Sequence, residues 1–222
     1  TLFEPCPRWA KIPHWIWLRE ATSVAVDKND NLFVFNRGNM PILVFSQDGE
    51  VIDMWGNENP PDKVRIIRDP YGNVSQFWDT WFNRPHAVTI DHEDNVWLVD
   101  DNGHQIQKRS KSGELLMTIG SGIPAPKQSG DMFHRPTDVA ISKKTGEIFI
   151  SDGYDNSRVH RLDCEGNLIK SWGVIGTDPG EFNVPHNIAL IDDEEVIVCD
   201  RENYRVQIFS LNGEFLRMWP VH

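Results

Sequence analysis

The sequence predicts an all-β fold of the β-propeller class, and three observations lead to this prediction. Short strand patterns, in which apolar and polar residues alternate, run along most of the chain. These patterns recur in four successive units, which begin at intervals of about 50 to 65 residues. Glycine-containing hairpin turns fall at equivalent places in every unit. Four antiparallel strands per repeating unit are typical of a propeller blade.

Each unit opens with two strands joined by a polar turn. The first strand is rich in β-branched residues, which favour a pleated and half-buried surface. The second strand closes on an Asn or Asp residue at the same position of each unit. The four segments are VAVDKNDNLFVFN (24–36), VTIDHEDNVWLVD (88–100), VAISKKTGEIFISD (139–152) and IALIDDEEVIVCD (188–200).

A third and a fourth strand complete every unit, and a glycine ends the turn between them. Glycine suits this position because the turn needs a positive φ that other residues rarely adopt. A β-sandwich of irregular strands is the alternative fold, and it does not account for the recurring Asp and Gly spacings. The turn glycines are Gly49, Gly113, Gly166 and Gly213.

The repeats define the expected domain organisation. We expect a lead-in segment at 1–20 and propeller repeats over 21–222. Four blades lie at the small end of the range for closed propellers. We therefore expect the chain to be part of a longer, six-bladed propeller; a compact four-bladed domain and closure by a second chain are the alternatives. The predicted blades cover about 21–56, 82–120, 133–173 and 182–222, and an insertion covers 57–81.

The insertion at 57–81 is rich in Pro, Asn and aromatic residues. A long insertion of this composition predicts a loop over one face of the propeller, where loops often carry function. Trp78 and Trp81 either line the mouth of a substrate site or pack the insertion onto the propeller.

The composition excludes some classes of function. A net charge of −11 and a sequence without a cluster of Lys and Arg disfavour nucleic-acid binding. No apolar run is long enough to span a bilayer, and no signal peptide is visible, so we expect a soluble protein without a membrane partner. Cys6, Cys164 and Cys199 form neither a disulfide framework nor a CxxC pair. The compartment, including a secreted or periplasmic location, and the oligomeric state stay open.

Two of the four units carry Pro-His just before the innermost strand, at His86 and His186. Equivalent positions of different blades lie at one level and face the same central region. Two imidazoles that converge in this way are suitable zinc ligands. The alternative is that both histidines are buried structural residues.

Charged and phenolic residues follow the second strand at the same rim. Arg37 and Arg201 each come directly after that strand, and Tyr154 lies in the corresponding loop of the third unit. Guanidinium groups bind carboxylates in a bidentate manner, and nearby cations stabilise a phenolate that can act as a base. The alternative is that the arginines form exposed ion pairs and that Tyr154 is an ordinary turn residue.

Several motifs of this chain resemble an NHL-repeat lyase family whose best-known member is peptidyl-α-hydroxyglycine α-amidating lyase. The resemblance extends from about residue 20 to the end of the chain and is nearest to the bacterial-type branch. The motifs are NLFVFNRG (31–38), RPHAVTID (84–91), PTDVAI (136–141), GYDNSRV (153–159), GEFNVPHNIAL (180–190) and DRENYRVQIF (200–209).

This resemblance implies a six-bladed propeller with a zinc ion held by three histidines and a structural calcium ion in the central channel. It implies cleavage of the C–N bond of a peptidyl-α-hydroxyglycine, which releases the peptide amide and glyoxylate. By motif, His86 and His186 correspond to zinc ligands and Tyr154 to the catalytic base. Arg37 and Arg201 correspond to groups that bind or polarise a small peptide substrate.

The chain also departs from the family pattern. No Pro-His segment after His186 supplies a third zinc ligand. His134 and Asp155 occupy the places of a disulfide that animal members contain. The alternative function is a non-catalytic NHL propeller that serves as a protein-interaction platform. Bound zinc distinguishes the two hypotheses, because only the lyase requires it.

Overall fold

A computed structural model describes residues 4–58, 65–68, 74–77 and 80–221 of the chain. The regular structure of these residues consists of β-strands and one 3₁₀ turn, Arg201–Asn203. Four antiparallel sheets of four strands each correspond to the four repeats. The all-β prediction is therefore confirmed. The structure divides into two compact units, Thr1–Pro85 and His86–His222.

The first unit contains one complete four-stranded sheet and a small hairpin. In the four-stranded sheet, each strand pairs with the next one along the chain. A separate hairpin lies within the predicted insertion. The sheet comprises β1 (Ala21–Val26), β2 (Leu32–Asn36), β3 (Ile42–Phe45) and β4 (Val51–Trp55), and the hairpin comprises β5 (Arg65–Arg68) and β6 (Val74–Phe77).

The second unit contains three sheets with the same sequential strand order. The strands of its first sheet are β7 (Pro85–Ile90), β8 (Val96–Asp100), β9 (Gln105–Arg109) and β10 (Leu115–Ile119). Those of the next sheet are β11 (Asp138–Ile141), β12 (Ile148–Asp152), β13 (Arg158–Leu162) and β14 (Leu168–Trp172). The last sheet consists of β15 (Pro185–Ile191), β16 (Glu195–Asp200), β17 (Arg205–Ser210) and β18 (Phe215–Pro220).

Aspartate residues shape the hairpin turns of the sheets. Asp91, directly after β7, accepts hydrogen bonds at Oδ1 from the backbone N–H groups of Glu93 and Asn95, both at 2.9 Å. Asp27 forms the same arrangement after β1. A short acceptor side chain that bonds to the backbone ahead of it stabilises a turn locally. The polar turns predicted from the repeat therefore have a specific hydrogen-bonding cause.

The residue that closes the second strand of each unit is buried, and it fastens a neighbouring loop. Asp200 accepts hydrogen bonds from the backbone N–H of Asn183 at 2.7 Å and from Arg205 Nε at 2.7 Å. Asp152 likewise accepts a hydrogen bond from the backbone N–H of His134 at 3.0 Å. Buried carboxylates need such partners, because an unpaired buried charge is costly. In the last two sheets these bonds tie the segment that enters the innermost strand to the end of the second strand.

Apolar side chains from consecutive sheets of the second unit pack together. Trp172 at the end of β14 contacts Phe209 of the following sheet, with ring centroids 6.0 Å apart. Gly213 of that sheet lies against the Trp172 ring, where an added Cβ would come within 2.6 Å of it. Trp219, at the equivalent position of the last sheet, is 43% exposed, whereas Trp172 is 8% exposed. The outer-strand aromatic is therefore buried by the blade that follows it.

The described part of the insertion packs onto the first sheet. The Trp81 backbone N–H donates to the Gly56 carbonyl at 2.9 Å, and the Trp81 and Trp55 rings are 6.2 Å apart. These contacts favour packing over a substrate mouth as the role of Trp81. Trp78 lies outside the described residues. No helix among the described residues has the length and apolar character needed to cross a membrane.

Candidate active site

The second unit brings two histidines from different sheets together. His86 is the second residue of β7, and His186 is the second residue of β15. Their ring centroids are 4.9 Å apart. His86 is buried and His186 is half-buried. The two imidazole rings therefore lie close together, as their equivalent positions in two blades predict.

Tyr154 lies between the two imidazoles. Its hydroxyl oxygen is 2.9 Å from His86 Nε2 and 3.1 Å from His186 Nε2. Both rings meet the phenol ring edge to face, with interplanar angles of 81° and 89°. A phenolic oxygen and two imidazole nitrogens thus converge on one small volume.

Two guanidinium groups accompany the phenol ring. Arg201 lies over the Tyr154 ring at 5.5 Å from its centroid, and Arg135 lies closer, at 4.4 Å. Cations at these distances are attracted to the ring face. Arg201 also forms an exposed ion pair with Glu202 at 2.8 Å. Arg135 likewise lies 3.6 Å from Asp101 Oδ2, so both guanidinium groups beside the phenol ring are paired with carboxylates.

Arg37 belongs to the first unit, whereas His86, Tyr154, His186 and Arg201 belong to the second. Arg37 donates from Nε to the Pro85 carbonyl at 3.0 Å. It lines a pocket of about 350 Å³ together with Arg19, Glu20 and Arg84. Three guanidinium groups and one carboxylate make this pocket suitable for a small anion.

The loop that carries Tyr154 is held by its neighbours in sequence. The preceding Gly153 packs against the backbone that leads to His186, where an added Cβ would lie 1.9 Å from the Pro185 carbonyl oxygen. Asn156 donates to the buried Asp152 carboxylate at 2.7 Å, which closes the same loop. The position of Tyr154 therefore depends on close contact between two blades.

Replacing Gly153 with alanine is expected to lower the free energy of unfolding by about 1–3 kcal/mol, because the new methyl group overlaps the Pro185 carbonyl. Urea denaturation measures this change. Gly180→Asn is the matched control, since no atom lies within 4 Å of its added Cβ and Asn tolerates the positive φ there. An unchanged urea midpoint for Gly153→Ala would contradict the expected clash.

Buried hydroxyl groups hold the start of β15 in place. Thr137 Oγ1 donates to the Pro185 carbonyl at 2.9 Å, and Ser151 Oγ donates to the His186 carbonyl at 3.2 Å. Thr137 and Ser151 are both fully buried. Thr137 occupies the position that histidine occupies in the blades before and after it. In this blade the position therefore anchors the adjacent histidine-bearing strand.

The backbone is strained on two sides of the site. Arg135 and Val184 both precede a proline, and both have a left-handed backbone, with φ of 63° and 58°. A left-handed backbone is uncommon for any residue other than glycine, above all for the β-branched Val184, and costs about 1–3 kcal/mol at each position. The Val184 carbonyl accepts the backbone N–H of Arg201 at 3.1 Å, which offsets part of this cost. Such strain is frequent where function constrains the backbone.

The surroundings of His186 favour its neutral form. Burial lowers the pKa of His186, and the charge of Arg201 lowers it further, against an opposing hydrogen bond to Asn187. A neutral imidazole keeps one ring nitrogen with a free lone pair. His186 can therefore serve as a ligand or as a hydrogen-bond acceptor near neutral pH.

The donor atoms fit part of a zinc site. Zinc accepts imidazole nitrogen in tetrahedral sites, and His86 and His186 supply two nitrogens that point to one volume. Within the part of the chain that the structure describes, no group of three or more His, Cys, Asp and Glu side chains is placed to hold a metal ion. The two histidines therefore account for two ligands of such a site.

Arg135 was not singled out from the sequence, although a signal for it exists. Arg84-Pro85 and Arg135-Pro136 stand at equivalent places directly before an innermost strand. The recurrence of Arg-Pro at this position in two of the four units is the signal that indicates Arg135 as a rim residue. His134 and Asp155 lie close to one another, with Nε2 and Oδ2 at 3.6 Å.

Comparisons with known proteins agree with the repeat pattern. The NHL repeat family matches residues 133–162 and 182–209. The WD40 β-propeller domain of Doa1 superposes with a TM-score of 0.56 at 12% identity, over 90% of this chain and 54% of that one. At this identity the likeness supports the fold alone.

Two relatives are similar in sequence as well. A probable peptidyl-α-hydroxyglycine α-amidating lyase of Caenorhabditis elegans is 34% identical over 196 residues, which are 86% of this chain and 55% of the nematode protein. Peptidyl-glycine α-amidating monooxygenase of Mus musculus is 34% identical over 217 residues, 89% of this chain and 21% of the mouse protein. The chain thus spans about half or less of the length of these two relatives. The chain has the β-propeller fold and carries NHL repeats at 133–162 and 182–209, and most of its length is similar to proteins named peptidyl-α-hydroxyglycine α-amidating lyase.

Proposed function

We propose that this chain forms part of a zinc-dependent lyase that cleaves the C–N bond of a peptidyl-α-hydroxyglycine-like substrate. The products are a peptide amide and glyoxylate. The observation that carries this proposal is the convergence of His86 and His186 on the Tyr154 hydroxyl, at 2.9 and 3.1 Å. Similarity to lyases at about one-third identity supports the same reaction class.

His86 and His186 are the residues that would hold the zinc ion through their Nε2 atoms. A zinc ion bound there would act as a Lewis acid and make the substrate hydroxyl easier to deprotonate. The low pKa of His186 supports this role, because a ligand must present a deprotonated nitrogen. Calcium, which the resemblance implies as a structural ion, is part of the proposal only by that resemblance.

Tyr154 is the proposed base, and its phenolate takes the proton of the substrate hydroxyl. Arg135 and Arg201 over the ring stabilise the phenolate that does this. Electrons of the resulting alkoxide form the C=O bond of glyoxylate as the C–N bond breaks toward nitrogen. The Tyr154 hydroxyl then returns the same proton to the departing amide nitrogen. Atoms and charges balance without a co-reactant.

Arg201 is proposed to hold the carboxylate of the α-hydroxyglycine unit. A carboxylate accepts two parallel hydrogen bonds from one guanidinium group, which orients as well as binds it. Arg201 stands beside Tyr154, and Arg37 lies in a pocket with two other arginines. We assign Arg201 to the reacting end of the substrate, and we propose a role for Arg37 in substrate binding from the family resemblance alone.

The test uses the protein that carries this chain, at its full natural length, with benzoyl-α-hydroxyglycine as the probe. Glyoxylate and benzamide are quantified together against an enzyme-free control, and zinc is measured by elemental analysis. We expect equal amounts of the two products and about one zinc per chain. Protein that contains no stoichiometric zinc, or that releases no glyoxylate above the control, would overturn the proposal.

A further inference from the structure

We propose that Asp138 and Asn187 are positioning residues that set the tautomer of His186. In this arrangement the proton is on Nδ1, and the lone pair of Nε2 faces the Tyr154 hydroxyl. The role given to this tautomer rests on the proposed function, because zinc binding needs a free lone pair on His186 Nε2. The arrangement itself is a property of the protein without metal or substrate.

The first step concerns the anchoring of Asp138 at the start of β11. Its Oδ2 accepts the backbone N–H of Ile188 at 3.2 Å, and its Oδ1 accepts the backbone N–H of Val139 at 2.9 Å. An ionised carboxylate only accepts hydrogen bonds. Burial raises the pKa of Asp138 to about 6, so the carboxylate is ionised above that pH. Asp138 therefore presents a fixed acceptor to the adjacent strand β15.

The second step concerns the orientation of the Asn187 amide. Asn187 Nδ2 donates to Asp138 Oδ2 at 3.2 Å. The reverse orientation would place the amide oxygen against a carboxylate oxygen, and two acceptors repel each other. The amide oxygen of Asn187 must therefore point away from Asp138. It lies 3.1 Å from His186 Nδ1.

The third step concerns the imidazole itself. Because Asn187 Oδ1 only accepts, His186 Nδ1 must carry the proton in this contact. In a neutral imidazole the other nitrogen then has the lone pair. The Tyr154 hydroxyl consequently donates to His186 Nε2. A short relay from Asp138 thus determines the polarity of the contact between His186 and Tyr154.

A β-bulge makes this relay possible. In a regular strand, successive side chains point to opposite faces, so His186 and Asn187 could not touch. The pairing of β15 with β16 passes from Pro185 opposite Asp200 to Ile188 opposite Val198, with a register shift between them. Two residues of β15 therefore lie opposite the single residue Cys199. Bulges redirect side chains in this way and are frequent next to active sites.

The test reads the tautomer directly by NMR. Full-length, metal-free protein with ¹⁵N-labelled histidine is studied at pH 8, where Asp138 is ionised. A long-range ¹H–¹⁵N correlation spectrum distinguishes protonated from unprotonated ring nitrogens, and His186→Gln identifies the His186 signals. We expect a protonated Nδ1 and an unprotonated Nε2. A protonated Nε2 in the wild-type protein would overturn the inference without any further variant.

Variants then test the relay. Asn187→Ala removes the acceptor, and we expect the His186 signals to move toward the Nε2–H form. The exchange Asp138→Asn with Asn187→Asp reverses donor and acceptor but keeps an acceptor facing Nδ1, so we expect it to restore the Nδ1–H form. Asp192→Asn is the control, because Asp192 is exposed and its replacement removes one negative charge, as Asp138→Asn does. This control should leave the spectrum unchanged. Nδ1–H signals that persist in Asn187→Ala would contradict a positioning role.

Zinc affinity gives an independent readout. We expect Asn187→Ala to weaken zinc binding by about 10–100-fold in competition with a chelator, as is usual when the partner of a ligating histidine is removed. If wild-type His186 shows the Nδ1–H form but the protein neither binds zinc nor releases glyoxylate, the proposed function fails while the relay stands. If zinc and turnover are present but Nε2 is protonated in the metal-free protein, the relay fails alone.

Discussion

Replacing Tyr154 with phenylalanine is expected to lower glyoxylate release from an α-hydroxyglycine peptide by about 10²–10⁴-fold, the usual contribution of a positioned base. The change removes one oxygen atom, the one that lies 2.9 and 3.1 Å from the two imidazoles. The aromatic ring stays, so Arg135 and Arg201 keep their partner. Zinc content should stay the same, because both histidines are unchanged.

Tyr204→Phe is the matched control for this prediction. Tyr204 is 72% exposed and follows the 3₁₀ turn that carries Arg201, so its hydroxyl can be removed without disturbing the cluster. Product release by both variants is measured at several substrate concentrations and compared with zinc content. Undiminished glyoxylate release by Tyr154→Phe would exclude Tyr154 as the base. A parallel loss of zinc would instead assign Tyr154 to the structure of the site.

The double replacement of His86 and His186 by alanine is expected to abolish zinc binding and turnover together. Removing even an indirect partner of a metal ligand costs about 10–100-fold in affinity, and loss of two direct ligands costs more. Elemental analysis after dialysis and the glyoxylate assay measure the two effects. We also expect each single variant to lose affinity, since neither nitrogen alone holds the ion.

The control for the histidine variants is the double replacement of His14 and His92, which are both exposed. It should leave zinc content and turnover unchanged. Because His86 is 8% exposed, its replacement also leaves a small cavity, and urea denaturation separates lost binding from lost folding. Zinc that remains stoichiometric in the folded His86→Ala/His186→Ala protein would remove these residues from the metal site.

The fold could be predicted from the sequence because the relevant forces act over short distances along the chain. Alternation of apolar and polar residues specifies strands, and glycine and aspartate specify the turns between them. Asp91 illustrates this locality, since it bonds to backbone groups only two and four residues ahead. The same pattern of strands and turns recurs in four units, and this recurrence is what predicts a propeller. A single unit would have predicted only a four-stranded sheet.

The candidate site was only partly predictable from the sequence. Equivalence of blade positions led to His86 and His186, and the rim after the second strand led to Arg37, Arg201 and Tyr154. A family resemblance then implied their roles. The structure places four of these five residues together in the second unit and shows Arg37 in the first. The three-histidine zinc site and the calcium ion stay predictions.

The roles of Asp138 and Asn187 became visible only in three dimensions. Asp138 lies 49 residues from Asn187, and the bond between them exists because two blades pack side by side. The contact between His186 and Asn187 depends on a β-bulge, and the alternation of apolar and polar residues along a strand does not predict a bulge. Local patterns along the chain thus account for the blades and their histidines. Hydrogen bonds between blades, which require the folded arrangement, account for how those histidines are oriented.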